Sequence, residues 1–202
     1  ELLAFAQRHD LWIITDEVYD RIVFDSEHVS FVGCDNERVI LINSFSKTYA
    51  MTGWRIGYIM SANKEAMNQM IKLQYYITAC SNDAMQYAVL TAINDADDYP
   101  DEMCAEFKAR RDLICSRLNK MPGVQCHVPE GAFYVFPKVD VPGMTSEEVA
   151  IELLKGGVLC SPGSAFGPSG EGHLRFAYTI SREDISLGMD KTEAVLMRLR
   201  GD

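Results

Sequence analysis

Several things are missing from this chain, and each absence narrows what it can be. Its six cysteines, at positions 34, 80, 104, 115, 126 and 160, form no Cys-x-x-Cys pair, and its four histidines are scattered. That excludes the common zinc spacings and a disulfide scaffold, and leaves no metal site and free thiols in a reducing cytoplasm as the expectation. No apolar run approaches the ~20 residues of a membrane helix, and no basic, apolar, small-residue leader opens the chain. Positive charge is scarce. With 19 Lys and Arg against 29 Asp and Glu, the net charge is -10. This argues against nucleic acid or an anionic membrane as partner, since both attract basic patches. Repeats and low-complexity segments are absent. What remains, 48% hydrophobic and 24% charged over 202 residues, is ordinary for one or two packed domains.

The first residue is Glu1, and Leu2, Leu3, Phe5 and Ala6 form an apolar helical stripe with no cap before it. Leu11–Thr15 then reads as a buried strand ending in Asp16-Glu17-Val18-Tyr19-Asp20. A parallel strand this early needs parallel neighbours, and too few strands follow to complete a covered sheet, so a fragment is expected. In open α/β sheets ligands bind beyond the carboxyl ends of strands. Asp16 is at such an end, where its carboxylate can pair with a protonated ring nitrogen, and Tyr19 follows within reach. Taken alone, the pair reads as a helix cap and a packed tyrosine.

Residues 25 to 38 are polar, contain Gly33 and Asn36, and read as a loop with one possible helical turn. Val39–Ile42 is a second, buried parallel strand. It leads into Asn43-Ser44-Phe45-Ser46-Lys47-Thr48-Tyr49-Ala50-Met51-Thr52-Gly53-Trp54-Arg55-Ile56-Gly57-Tyr58. Hydroxyls, an amine and a guanidinium in one stretch suit an aldehyde that carries a phosphate, as pyridoxal 5′-phosphate (PLP) does. Ser-x-Ser-Lys by itself reads as a surface lysine after a strand, with Arg55 in an unrelated ion pair. Ile56–Met60 reads as a third strand.

Asn63 caps a helix through Met67, Met70, Ile71 and Gln74, its methionines expected in the core. A second helix begins near Asn82 and carries Met85, Val89, Ala92 and Ile93. Asp95-Ala96-Asp97-Asp98 reads as a solvated bend. Pro100 opens a long helix to about Asn119, stopped by Pro122-Gly123. That rigid link predicts two domains, 1–95 and 96–202. The second reads as a small α+β domain. Its expected strands are Val124–Val128 and Ala132–Pro137, joined through Pro129-Glu130-Gly131, then Val158–Cys160 and His173–Tyr178. A helix after Thr145-Ser146-Glu147-Glu148 ends at Gly156-Gly157, and Ser181 caps the last one. Arg175 interrupts the apolar Leu174-Arg175-Phe176-Ala177. A charge there needs a counter-charge, or an edge strand that turns it to water.

Asn43–Tyr58 with Met-Thr-Gly-Trp-Arg, the Asp-Glu-Val-Tyr before it, and Pro162-Gly163-x-x-Phe166-Gly167 followed by Leu174-Arg175-Phe176 together resemble the class I/II, fold-type I, PLP-dependent aminotransferases. The resemblance runs over essentially the whole chain and corresponds to a C-terminal half. It implies an α/β fold: the C-terminal part of the PLP-binding large-domain sheet, its third strand antiparallel, followed by a small α+β domain. It implies that Lys47 holds PLP covalently and then moves the proton at the substrate Cα. Asp16 would hold the pyridinium proton, Tyr19 would tune the ring oxygen, and Ser44, Ser46 and Arg55 would bind the phosphate. Arg175 would bind the substrate α-carboxylate, a task suited to a planar guanidinium. The implied substrates are an L-amino acid and a 2-oxo acid, and the implied assembly is a cytoplasmic homodimer of the full-length protein, with the fragment inactive alone. The same residues also serve carbon–sulfur lyases and cyclopropane synthases of this fold. An aminotransferase-like domain can also be the effector-binding module of a transcription regulator.

Overall fold

The computed structural model describes residues 1–34, 37–96 and 98–201. Asn36 of the polar loop and Asp97 of the acidic bend lie outside them. The chain folds as two compact units, Glu1–Glu102 and Met103–Asp202. The division falls inside the long helix rather than at 95/96. Among the described residues no helix is long and apolar enough to cross a membrane.

In the first unit, α1 (Leu2–Arg8) has no side-chain cap and leads to β1 (Ile13–Asp16). β1 pairs in parallel with β2 (Val39–Ser44), Ile13 opposite Val39 and Asp16 opposite Ile42. β2 pairs on its other side, antiparallel, with β3 (Gly57–Met60), Ser44 opposite Gly57. β2 is therefore the central strand, and its Val39, Leu41 and Asn43 are buried. β1 departs from expectation. Ile14 is 67% exposed and Leu11 and Trp12 about half exposed, because among the described residues β1 has one strand neighbour, so its apolar run is half covered rather than buried. Between β2 and β3 come α2 (Phe45–Thr48) and a 3₁₀ turn, Thr52–Trp54. The polar loop forms turns and no helix among its described residues.

α3 (Lys64–Thr78) starts at Asn63, whose Oδ1 accepts from Ala66 N at 2.8 Å. It has no fully buried residue, so Met67 and Met70 fill no core. α4 (Asp83–Asp95) is capped by Asn82 in the same way, and only Val89 of it is buried. α5 (Tyr99–Leu118) carries Pro100 in its first turn.

The second unit surrounds Ile114, Leu118, Val135, Leu153, Leu174 and Leu196, all nearly inaccessible. Its strands are shorter than expected and pair differently. β4 (Val124–Gln125) pairs with β6 (Lys138–Val139), and β5 (Tyr134–Val135) pairs with β8 (Leu174–Ala177), so no hairpin forms through Pro129-Glu130-Gly131. The expected strand at 158–160 is instead β7 (Ser161–Pro162), which also pairs with β8. These ladders join residues far apart in sequence, which local pattern cannot pair. α6 (Ser146–Lys155) has the full capping box: Glu148 N donates to Thr145 Oγ1 and Thr145 N to Glu148 Oε2. α7 (Arg182–Arg200) is capped by Ser181.

Candidate active site

Because β1 and β2 are parallel and β3 runs back from Gly57, the ends carrying Asp16, Ser44 and Arg55 meet at one edge of the sheet. This is the edge where open α/β sheets bind ligands. The approach of β3 to β2 requires a glycine. A Cβ at Gly57 would lie 2.7 Å from Asn43 O and 3.0 Å from Ser44 Cβ.

At that edge β2 runs straight into α2. Ser44 Oγ accepts from Ser46 N at 3.4 Å, while Ser44 N donates to Asn43 Oδ1 at 2.7 Å. Asp20 ties the two elements together: its carboxylate accepts from Asn43 Nδ2 at 3.0 Å and from Thr48 Oγ1 at 3.4 Å. Arg55 closes the 3₁₀ turn in the left-handed region, φ 53°, a strained setting for a side-chain-bearing residue. Its guanidinium Nη1 donates to Thr52 O at 2.8 Å and has no carboxylate partner among the described residues. Ser44, Ser46 and Arg55 line one cavity of about 670 Å³, together with Met67, Met70 and Gln74. The methionines expected in the core are therefore cavity walls.

Asp16, Tyr19 and Lys47 are not part of that lining. Half-buried Lys47 follows Ser46 on α2, with its Nζ 6.0 Å from the centroid of the Tyr19 ring. Asp16 is exposed. Its Oδ1 accepts from Val18 N at 3.2 Å, a local turn, and no helix follows that it could cap.

Glu17, passed over in the sequence, is the most heavily bonded acid here. It is 5% exposed. Its carboxylate accepts from His28 Nε2 (2.9 Å), Ser30 Oγ (2.5 Å), Phe31 N (3.0 Å) and Thr15 Oγ1 (3.3 Å). It thereby pins the loop at 28–31 beside the end of β1. Burial pushes the Glu17 carboxyl up, but the bonds from His28, Phe31 N and Ser30 outweigh burial and hold it below the usual carboxylate range. A folded-state pKa below the unfolded value adds stability that is complete above the unfolded pKa, about 4.3. That stability is lost as pH falls through the folded value. Glu17→Ala should lower unfolding free energy on the order of 3 kcal/mol at pH 7, since buried donors lose their acceptor. The deficit should shrink below pH 4. Denaturant melts across pH check this; a deficit independent of pH would leave the ionised carboxylate without a role.

In the second unit Arg175 lies on β8, the middle strand of β5-β8-β7, so it is no edge residue. Leu174 and Phe176 point into the core and Arg175 to the opposite face, half-buried. Among the described residues no carboxylate pairs with it. Its contacts are Ser161 Oγ, 3.5 Å from Nη2, and the rings of Tyr134 and Phe166, with centroids 4.6 and 4.5 Å from Cζ. Neither bland alternative, a structural ion pair or a water-facing edge arginine, describes this residue.

Among known proteins, solved structures that resemble this one include several aminotransferases. They include an aromatic aminotransferase from Pyrococcus horikoshii OT3 (39% identical, TM-score 0.91, 98% of this chain and 54% of that one). Another is an aspartate aminotransferase from Thermus thermophilus with maleate (28%, TM-score 0.89, 96% and 50%). The sequence profile of the family "Aminotransferase class I and II" matches residues 1–191, and the chain belongs to that family. Curated relatives include an aspartate aminotransferase from Pyrococcus abyssi, 41% identical over 97% of this chain and 51% of its own length. An aromatic-amino-acid aminotransferase from Thermococcus litoralis is 40% identical over 97% and 51%. Members of the family use PLP. The chain spans about half the length of the curated relatives it matches.

Proposed function

We propose that this chain is part of a PLP-dependent aminotransferase that moves an amino group between an L-amino acid and a 2-oxo acid. The observation that carries this is the gathering of Ser44, Ser46 and Arg55, an arginine without a carboxylate partner among the described residues, around one cavity at the strand ends, with Lys47 next in the chain. Hydroxyls and a guanidinium that no carboxylate neutralises are a donor set for a phosphate dianion. The exposed Asp16 carboxylate, held by one backbone bond and no cation among the described residues, suits a pyridinium nitrogen. The residues therefore fit PLP. When bound, PLP supplies an electron-accepting ring conjugated to the substrate Cα. Ser44, Ser46 and Arg55 hold its phosphate, Asp16 keeps the ring nitrogen protonated, and Tyr19 donates to the ring oxygen. Lys47 anchors the cofactor and then carries the proton to and from the substrate Cα. Arg175 binds the α-carboxylate.

In this reading residues 1–102 contribute to the PLP-binding large domain and 103–202 form the small domain. The full-length enzyme is a homodimer. The exposed Ile71, Leu73, Tyr75, Tyr76 and Ile77 of α3 are apolar surface of the kind that an interface covers. The relatives are named for aspartate and for aromatic amino acids, and the side-chain preference of this enzyme is left to assay. The test is borohydride reduction of the full-length protein with PLP, followed by peptide mapping. The cofactor label should sit on Lys47, and a label on any other lysine overturns the assignment.

A further inference from the structure

We propose that Tyr134 and Phe166 are positioning residues that hold the Arg175 guanidinium ready for a carboxylate. The inference rests on the reading of Arg175 as the α-carboxylate site. A half-buried guanidinium must be held by something, and a protein carboxylate would occupy its in-plane donors and neutralise its charge. Aromatic rings do neither. They attract the cation through their π faces and leave the N–H edge open. Arg175 has two rings within 4.6 Å and one long contact to a hydroxyl, so its orientation is set while most of its five donors stay available.

Each ring is itself fixed by tertiary structure. Tyr134 stands on β5 opposite Ala177, so it lies diagonally across from Arg175 on the same face of the sheet. Phe166 ends the 3₁₀ turn Gly163–Phe166 and packs edge-on to Phe136, centroids 5.8 Å apart at 90°. That turn is anchored twice. The backbones of Gly163 and Gly170 approach so closely that a Cβ on Gly163 would lie 2.0 Å from Gly170 O. Ser164 N donates to Ser146 Oγ at 3.4 Å, and Ser146 donates through both N (2.6 Å) and Oγ (3.1 Å) to the Glu171 carboxylate. The two rings thus reach the guanidinium from separately fixed elements, a strand and a turn.

The experiment compares Tyr134→Leu and Phe166→Leu with the unaltered full-length holoenzyme. It reads KM and kcat for the amino acid, Ki for propionate as a competitive carboxylate, and the single-turnover rate with propylamine, which has no carboxylate. Each leucine variant should raise KM and Ki roughly five- to thirty-fold, the scale of losing a desolvated cation–π contact. The kcat should stay within about three-fold, the pattern of lost uniform binding. The propylamine rate should not move, and Tyr134→Phe and Phe166→Tyr, which keep the rings, should restore KM. Unchanged KM and Ki in both leucine variants overturn the proposal, and so does a propylamine rate that falls in step with them. Arg175→Lys separates the two levels. If it leaves KM and Ki unchanged, the α-carboxylate reading itself fails. If it raises them while the leucine variants do not, only the role of the rings fails.

Discussion

Lys47→Ala should abolish turnover and the covalent cofactor together, in a protein that still folds. The side chain is half-buried at the end of a four-residue helix. The contacts that set that helix belong to other residues: Ser44 Oγ to Ser46 N, Asp20 to Thr48, and Thr52 Oγ1 to Ser46 O at 3.0 Å. Removing the amine leaves all of them in place. It removes the proposed anchor, which is also the group proposed to move the proton at the substrate Cα. Loss of a positioned acid–base group alone reaches roughly 10⁴-fold, so turnover should fall at least that far. Ser44, Ser46 and Arg55 remain, so PLP should still bind, reversibly and without a bond that borohydride can trap. Gel filtration after borohydride treatment, alongside steady-state rates, checks both halves. A variant that keeps a tenth of its turnover would remove Lys47 from the chemistry.

The second large effect is expected at Asp16. Asp16→Asn should preserve the fold, because the one bond the side chain makes among the described residues is accepted by an oxygen that asparagine also has, Oδ1 from Val18 N. What changes is charge. A neutral amide cannot keep a ring nitrogen protonated, and the ring loses its electron-accepting strength. Turnover should fall by roughly two to three orders of magnitude, about 3–4 kcal/mol in the barrier, with unchanged thermal unfolding. Near-normal rates in this variant would reduce Asp16 to a turn residue. A rate loss accompanied by a drop in stability would mean that Asp16 holds β1 rather than the cofactor.

Much of this was legible in the residue order because it depends on local chemistry. Asn63, Asn82, Thr145 and Ser181 cap the helices they precede, since a cap needs only a short polar side chain and the amides two or three residues on. The apolar run before Ser44 and the hydroxyl–lysine–arginine stretch after it put chemistry at a strand end, and Met-Thr-Gly-Trp-Arg marks the family. The short strands of the second unit escaped. Two-residue ladders carry no periodicity, and β5 finds its partner in β8 far along the chain. Glu17 and Asp20 escaped too, because their partners, His28, Ser30, Asn43 and Thr48, are brought to them only by the return of the chain.

The sequence by itself determined the family and the helix starts, and it singled out the groups proposed here to bind PLP, because these depend on residue type and spacing along a few turns of chain. Only the tertiary structure decided how those groups are held. Arg175 has two aromatic rings where an ion pair or a water-facing edge position was the alternative, Arg55 shares a cavity with methionines expected in a core, and β1 lies half open because, among the described residues, it pairs on one side. The physical reason is the same in each case. A side chain's environment is set by segments distant in sequence, and burial, charge compensation and ring contact are properties of that environment.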